Sequence, residues 1–84
     1  MRYLISYDLD KPGQKYDSVI AALESVGAQR VLFSQWVVRW PNTDAVTIRT
    51  WLWGFMDRND RLLIVCLDST DWAGMNTMVD PNVL

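Results

Sequence analysis

The first eight residues of the chain combine β-branched, aromatic and aliphatic side chains and end on a carboxylate. The odd positions Tyr3, Ile5 and Tyr7 carry large apolar or aromatic groups. Leu4 is apolar on the opposite parity, so both faces of this strand are predicted to be covered, as in the centre of a sheet. Asp8 is therefore predicted to lie at the rim of a packed sheet, where functional groups are often placed.

The residues that follow predict a loop and then an amphipathic helix. The Asp, Pro and Gly residues within Leu9–Gln14 are typical of a loop. From Tyr16 onward, apolar residues recur at helical spacing, and Gly27 suits the left-handed position that often follows a helix. The apolar stripe predicted for this helix comprises Tyr16, Val19, Ile20, Leu23 and Val26.

The segment Gln29–Trp40 is rich in β-forming residues and is too long for one ordinary strand. We predict two strands, separated by a tight reversal or a bulge at Ser34-Gln35. Asn42 or Thr43 is then predicted to cap a second helix. Its predicted apolar stripe comprises Ala45, Ile48, Leu52, Phe55 and Met56, with at least one of Trp51 and Trp53 beside it partly exposed.

A polar turn and a last apolar strand complete the pattern. The charged residues before that strand, Asp57, Arg58, Asp60 and Arg61, are predicted to form a turn without a functional role. The strand itself is predicted over Arg61–Leu67. The predicted order is therefore β-α-β-β-α-β, which predicts an α+β fold of ferredoxin-like topology. In that fold a four-stranded antiparallel sheet has its helices on one face and a bare second face.

We expect residues 1–84 to form a single domain, with residues 68–84 as a C-terminal tail that adds an edge strand or packs across a partner. A chain of 84 residues builds only a thin core, yet this one carries five Trp residues and is 50% hydrophobic. A bare sheet face this apolar needs a cover. We therefore predict a homodimer that forms through the bare face.

Composition excludes several kinds of site. The chain contains no His, so neither a His ligand nor a His general base is available, and the single Cys66 excludes an internal disulfide and a Cys-cluster metal site. The net charge of −2 argues against tight non-specific DNA binding. The sequence shows no leader peptide and no apolar run long enough for a membrane span, so a cytoplasmic protein is predicted.

The segments Tyr7-Asp8, Arg30–Val37 and Asn59–Leu62 occur in this order in the chain. Together they resemble the small CRISPR-associated ferredoxin-like proteins that form the second subunit of the spacer-acquisition machinery. The loop Asp8–Tyr16 resembles the stand-alone relatives of those proteins, which are described as endonuclease-like, in particular. The resemblance runs from Met1 to about Asn76.

The resemblance implies a homodimer in which the bare sheet faces meet and the C-terminal segment reaches the partner's sheet. In family members that act as metal-dependent nucleases, the Asp that matches Asp8 comes from both subunits, and the pair holds a divalent ion. Asp8 is accordingly predicted as the catalytic residue and as a ligand of Mg²⁺, which favours carboxylate and water oxygens. The implied activity is Mg²⁺-dependent phosphodiester hydrolysis of DNA or RNA.

Arg30, Ser34 and Arg39 are predicted to contact a nucleic-acid backbone. Solvated charges at a sheet edge are the favoured account of the two Arg residues, and local bonding at a strand kink is the favoured account of the Ser34 hydroxyl. Asp8 could be an acid that accepts backbone N–H groups of the next loop, and Asp10 is predicted as a plain turn residue. Two alternative functions stay open, namely a non-catalytic dimeric scaffold for nucleic acid or protein and a toxin-type ribonuclease.

Trp36 and Trp40 share a parity within the predicted β segment. Aromatic side chains of this kind can stack on the bases of a single-stranded nucleic acid. Burial in a dimer interface is the favoured reading. The sequence leaves both readings open.

Overall fold

The computed structural model describes residues 1–10, 16–68 and 71–81. The predicted order of elements is confirmed. The four strands form one antiparallel sheet in the order β2-β3-β1-β4, which is compatible with a ferredoxin-like fold. Most of the predicted loop Leu9–Gln14 lies outside the described residues. The elements are β1 (Arg2–Asp8), α1 (Tyr16–Ser25), β2 (Gln29–Leu32), β3 (Gln35–Arg39), α2 (Ala45–Trp53) and β4 (Arg61–Cys66).

Strand β1 lies between β3 and β4, as its two apolar parities predict. Its odd residues Tyr3, Ile5 and Tyr7 are buried beneath the helices. The Tyr7 hydroxyl accepts a hydrogen bond of 3.1 Å from the Nε1 of Trp36, which ties β1 to β3 inside the core. The Tyr3 hydroxyl donates to the carbonyl of Thr43 at 2.9 Å, and burial raises its pKa above the usual value. The hydroxyls of Tyr3 and Tyr7 therefore each have a hydrogen-bond partner.

The helix face of the sheet is covered by the apolar stripes of both helices. Val19 and Leu23 of α1 and Ile48 and Leu52 of α2 are fully buried against it. Gly27 follows α1 with a positive φ of 77°, which confirms the left-handed position predicted there. We call this layer the helix-face core.

Two predicted features of α2 are wrong. Its N-cap is Asp44, whose Oδ1 accepts the N–H of Thr47 at 2.8 Å, rather than Asn42 or Thr43. The Thr47 hydrogen bonds hold the pKa of Asp44 below its usual value, as expected for a carboxylate that caps a helix. The helix also ends at Trp53, so Phe55 lies beyond it, partly exposed. Trp53 is 39% exposed, which confirms the expectation for one of the two flanking Trp residues.

The long β segment divides into a hairpin, as predicted, but its details differ. The reversal lies at Phe33-Ser34, one residue earlier than predicted. A bulge also occurs in β2, between Arg30 and Leu32. The bulge accommodates the extra residue of β2 and leaves Val31 buried while Leu32 is exposed.

The second face of the sheet, which we call the outer face, is bare only in part. Residues 71–81 pack across one half of it without forming a strand. Trp72 and Val79 of this tail contact an apolar cluster, and the N–H of Met78 donates to the carbonyl of Val31 at 2.9 Å. We call this the covered half, and it comprises Leu4, Val31 and Val37 of the sheet and Leu67 just after β4. The remainder is the open half, formed by Ser6, Asp8, Gln35, Arg61 and Leu63.

Candidate functional site

Asp8 is the last residue of β1 and lies on the open half of the outer face. In the register of β1 with β4 it stands directly opposite Arg61, so the two side chains share a face. On the other side of β1, the N–H of Tyr7 donates to the carbonyl of Ser34 at 3.1 Å. The structure therefore brings together Asp8, Arg61 and the hairpin turn that contains Ser34.

A shallow cavity of about 240 Å³ opens at this point. It is lined by β1 and β4, with Ser6 and Asp8 on one side and Arg61 and Leu63 on the other. Asp8 is exposed, and within the described ranges no hydrogen bond or ion pair engages its carboxylate. The carboxylate oxygens of Asp8 are thus open to a ligand as far as the described residues are concerned.

The role of accepting loop N–H groups belongs to Asp60 instead. One oxygen of its carboxylate accepts the N–H of Asp10 at 2.6 Å, and the other accepts the N–H of Asp57 at 2.7 Å. Asp60 is only 7% exposed, and it is the buried charged residue of the described chain. Burial of a carboxylate is tolerated because both oxygens are hydrogen-bonded.

Arg30 and Arg39 lie away from Asp8. The guanidinium of Arg30 lies 4.8 Å from the ring centre of Trp36, on the helix face of the sheet. Arg39 stands opposite Arg2, at the far end of β1. At about 3.3 Å per residue, that end is roughly 20 Å from Asp8. Of the predicted nucleic-acid contacts, only Ser34 is therefore near the predicted catalytic residue.

The end of the sheet remote from Asp8 is closed by charge pairing. The Nε of Arg2 donates to Asp68 at 3.0 Å, and its backbone N–H donates to the same carboxylate at 3.1 Å. The hydrogen bond from the Arg2 side chain holds the pKa of Asp68 below its usual value. Nη1 of Arg2 also donates to the carbonyl of Pro81 at 3.1 Å, which anchors the tail.

Sequence reasoning missed Arg61 and Asp60, which had been assigned to a turn without a function. The predicted topology already contained the signal for Arg61, because β1 and β4 are antiparallel neighbours in this strand order. The end of the first strand must then meet the start of the last strand. The burial of Asp60 depends on the tertiary packing of two distant loops, so no local sequence pattern predicts it.

One chain alone offers little for a metal ion. The described residues contain no group of three or more Asp, Glu, Cys or His side chains that could hold one. Asp8 is one exposed carboxylate, and Mg²⁺ is commonly bound through one or two carboxylates while it retains several waters. A single Asp8 carboxylate is at the lower limit of that donor set, and two copies of Asp8 would supply both carboxylates.

The fold and the site define a small α+β protein whose four-stranded antiparallel sheet displays one open carboxylate at the end of its central strand. None of the described helices is long and apolar enough to cross a membrane. No protein-family model matches the chain, and no curated protein matches it significantly.

Proposed function

We propose that the protein is a homodimer similar to the CRISPR-associated endonucleases and that it hydrolyses phosphodiester bonds of DNA or RNA with Mg²⁺. The observation that carries this proposal is the position of Asp8. It is exposed at the end of the central strand, on the half of the outer face that the tail leaves open. Its carboxylate makes no hydrogen bond or ion pair with the described residues.

The open half also suits a second copy of the chain. Leu63 is 61% exposed there, and Phe33 at the adjoining hairpin turn is 78% exposed. Apolar side chains this exposed at one place favour an interface. Asp8 and Arg61 add one charge of each sign, so the paired side chains bring no net charge to such an interface.

The chemistry follows from the residues of that interface. The Asp8 carboxylates of two copies would hold Mg²⁺, which supplies charge neutralisation on a phosphate and activation of a water molecule. Arg61, beside Asp8, is suited to contact the non-bridging oxygens of the same phosphate. With no His in the chain, a His general base is absent from this reaction.

The test is a cleavage assay on purified protein. Labelled single-stranded and double-stranded RNA and DNA are incubated with Mg²⁺ or with EDTA, beside Asp8→Asn and the matched control Asp10→Asn. Asp10 is an exposed acid two residues further along, so its variant makes the same change of charge. We expect cleavage that needs metal, is lost in Asp8→Asn and persists in Asp10→Asn.

Two outcomes would count against the enzyme. Equal cleavage by the wild type and Asp8→Asn would indicate a contaminating nuclease. No cleavage of any of the four substrates would favour a scaffold. The melting temperature of each variant is recorded, because a rise for Asp8→Asn in the metal-free protein would indicate that two carboxylates repel each other across the axis.

Dimer formation has its own test. Light scattering after size exclusion at tens of micromolar should give a dimer for the wild type and a monomer for Leu63→Asp. Val46→Asp is the matched control, since Val46 is 59% exposed but lies on α2, away from the outer face. A wild-type monomer, or a Leu63→Asp variant that still dimerises, would contradict the proposed interface.

The second candidate is a non-catalytic dimeric scaffold, and the position of Arg61 favours it. An Arg directly opposite Asp8 can neutralise the partner's carboxylate in the interface, and this leaves no free ligand for a metal ion. In that case Arg61→Ala and Asp8→Ala should both weaken the dimer. In the enzyme, Arg61→Ala should instead lower cleavage while the dimer persists.

A further inference from the structure

Asp60 joins two parts of the chain that are 50 residues apart. Its carboxylate accepts the N–H of Asp10, two residues after Asp8, and the N–H of Asp57 at the end of the segment that follows α2. The backbone N–H of Asp60 in turn donates to the carbonyl of Asp57 at 3.0 Å. One buried side chain thus fixes the backbone on both sides of the open site.

The two residues of the candidate site both adjoin this clamp. Asp8 precedes the clamped N–H of Asp10 by two residues, and Arg61 directly follows Asp60 in the chain. The last pair in the register of β1 with β4 is Asp8 opposite Arg61. Strand ends fray unless they are held, so this pair depends on whatever fixes the chain just beyond it.

We infer that Asp60 is a positioning residue that holds the Asp8 carboxylate and the Arg61 side chain in register at the open end of the sheet. This inference rests on the proposed function of Asp8 as a metal ligand. Hydrogen bonds from N–H groups to a carboxylate are short and strong, and the distances of 2.6 and 2.7 Å are of that kind. A side chain that binds a metal ion keeps a fixed position only when the groups around it hold it there.

Two variants separate positioning from simple stability. Asp60→Ala removes both acceptors, whereas Asp60→Asn keeps one acceptor oxygen and turns an NH₂ group toward the other N–H. Asp17→Asn removes the same charge from an exposed position on α1 and serves as the control. All three are compared with the wild type by amide hydrogen exchange and by metal binding.

Hydrogen exchange tests the clamp without reference to activity. In Asp60→Ala the Asp10 amide loses a hydrogen bond to a charged group, so it should exchange about tenfold faster than in the wild type. The rate is corrected for any change at the buried Ile5 amide, which reports global stability. Asp60→Asn should show a smaller increase and Asp17→Asn none. If the Asp10 and Ile5 amides changed by the same factor, Asp60 would have only a global effect and the inference would be overturned.

Metal binding tests the positioning. Mn²⁺ is titrated into the isotope-labelled protein. Paramagnetic broadening of the NMR signals of Asp8 and Arg61 measures its binding. We expect binding to weaken about tenfold in Asp60→Asn, as for other residues that support a ligand, with no change in Asp17→Asn. In the cleavage assay the same variant should need about tenfold more Mg²⁺ and recover most of the wild-type rate at saturation.

The failures of the two proposals are distinguishable. Faster exchange at Asp10 with unchanged Mn²⁺ binding in Asp60→Asn would show that the clamp exists but does not position Asp8, and would overturn the inference alone. A wild type that neither binds Mn²⁺ near Asp8 nor cleaves would defeat the proposed function, and the positioning role would fall with it. Exchange would then still report whether Asp60 holds the Asp10 backbone.

Discussion

The two faces of the sheet are built from the same strands but serve different purposes. The helix face buries Tyr3, Ile5 and Tyr7 of β1 beneath two amphipathic helices, and both tyrosine hydroxyls are hydrogen-bonded there. Of the residues that the structure describes, 71–81 pack on part of the outer face, and they leave Asp8 and Leu63 exposed. The difference indicates that stability resides mainly on the first face, and the binding that we propose uses the second.

The outer face is itself divided. The tail covers the half that adjoins Arg2. There the side chain of Arg2 donates hydrogen bonds to the carboxylate of Asp68 and to the carbonyl of Pro81. At the opposite end the carboxylate of Asp8 meets no such partner among the residues described. A graded series of substitutions across these regions tests whether the distinction is real.

The largest effect is expected in the helix-face core. Leu52 is 0% exposed, so Leu52→Ala leaves a cavity and should lower the free energy of unfolding by about 2–5 kcal/mol. Urea denaturation measures this loss. Val46→Ala, on the exposed side of the same helix, is the control and should change little. A loss below about 1 kcal/mol for Leu52→Ala would mean that this core is loosely packed.

A smaller effect is expected in the covered half. Trp72 is partly exposed and packs on the cluster around Val37, so Trp72→Ala should cost about 1–3 kcal/mol, less than a fully buried Trp. The control is Met75→Ala, because Met75 is 85% exposed in the same tail. Equal stability of Trp72→Ala and the wild type in urea would show that the tail does not cover the sheet in solution.

The anchor of the tail should respond to acid. The pKa of Asp68 is lowered by its hydrogen bond with Arg2, so its contribution to stability is complete above the unfolded-state pKa of about 4. That contribution is lost as the pH falls through the lower folded-state pKa. The melting temperature of Asp68→Asn should therefore be below that of the wild type at pH 7, and the gap should narrow under acid conditions.

The pKa of Asp44 is also lowered, by its hydrogen bonds with Thr47. The stability that Asp44 contributes is therefore lost at low pH in Asp68→Asn as it is in the wild type. The comparison at each pH isolates the part due to Asp68. A gap between the two proteins that stays constant from pH 7 down to about pH 2 would show that the ion pair with Arg2 contributes nothing to stability.

The smallest effect on folding is expected in the open half. Leu63→Ala should change the free energy of unfolding of the dilute monomer by no more than about 0.5 kcal/mol, because its side chain is exposed. The same variant should raise the dissociation constant of the dimer, measured by sedimentation. A large loss of monomer stability would show that Leu63 is covered within its own chain.

Most of the fold could be predicted because its signals are local. The apolar runs of β1 and β4 and the helical spacing of Val19 and Leu23 specify their elements directly. The predicted N-cap was wrong because several polar residues precede α2. Only the backbone geometry selects Asp44 among them. The exact turn of the hairpin depended on a bulge that has no Gly or Pro to mark it.

The site could be predicted only in part. Asp8 was recognisable because it ends a central strand, and its exposure agrees with the rim position that was expected. Arg30 and Arg39 were predicted to contact nucleic acid because they flank the hairpin, but the register assigns one to the helix face and the other to the far end of the sheet. Asp60 needed the packing of two loops, which no single stretch of sequence encodes.

The corner around Arg2 also constrains the order of folding. Its bonds join the second residue of the chain to Asp68 and Pro81, and the N–H of Leu67 donates to the carbonyl of Arg2 at 2.9 Å. Contacts this distant in sequence form late and slow the search for the native state. During synthesis β1 can pair with β3 first, but its other edge stays unpaired until β4 emerges, and an unpaired strand edge is prone to aggregation.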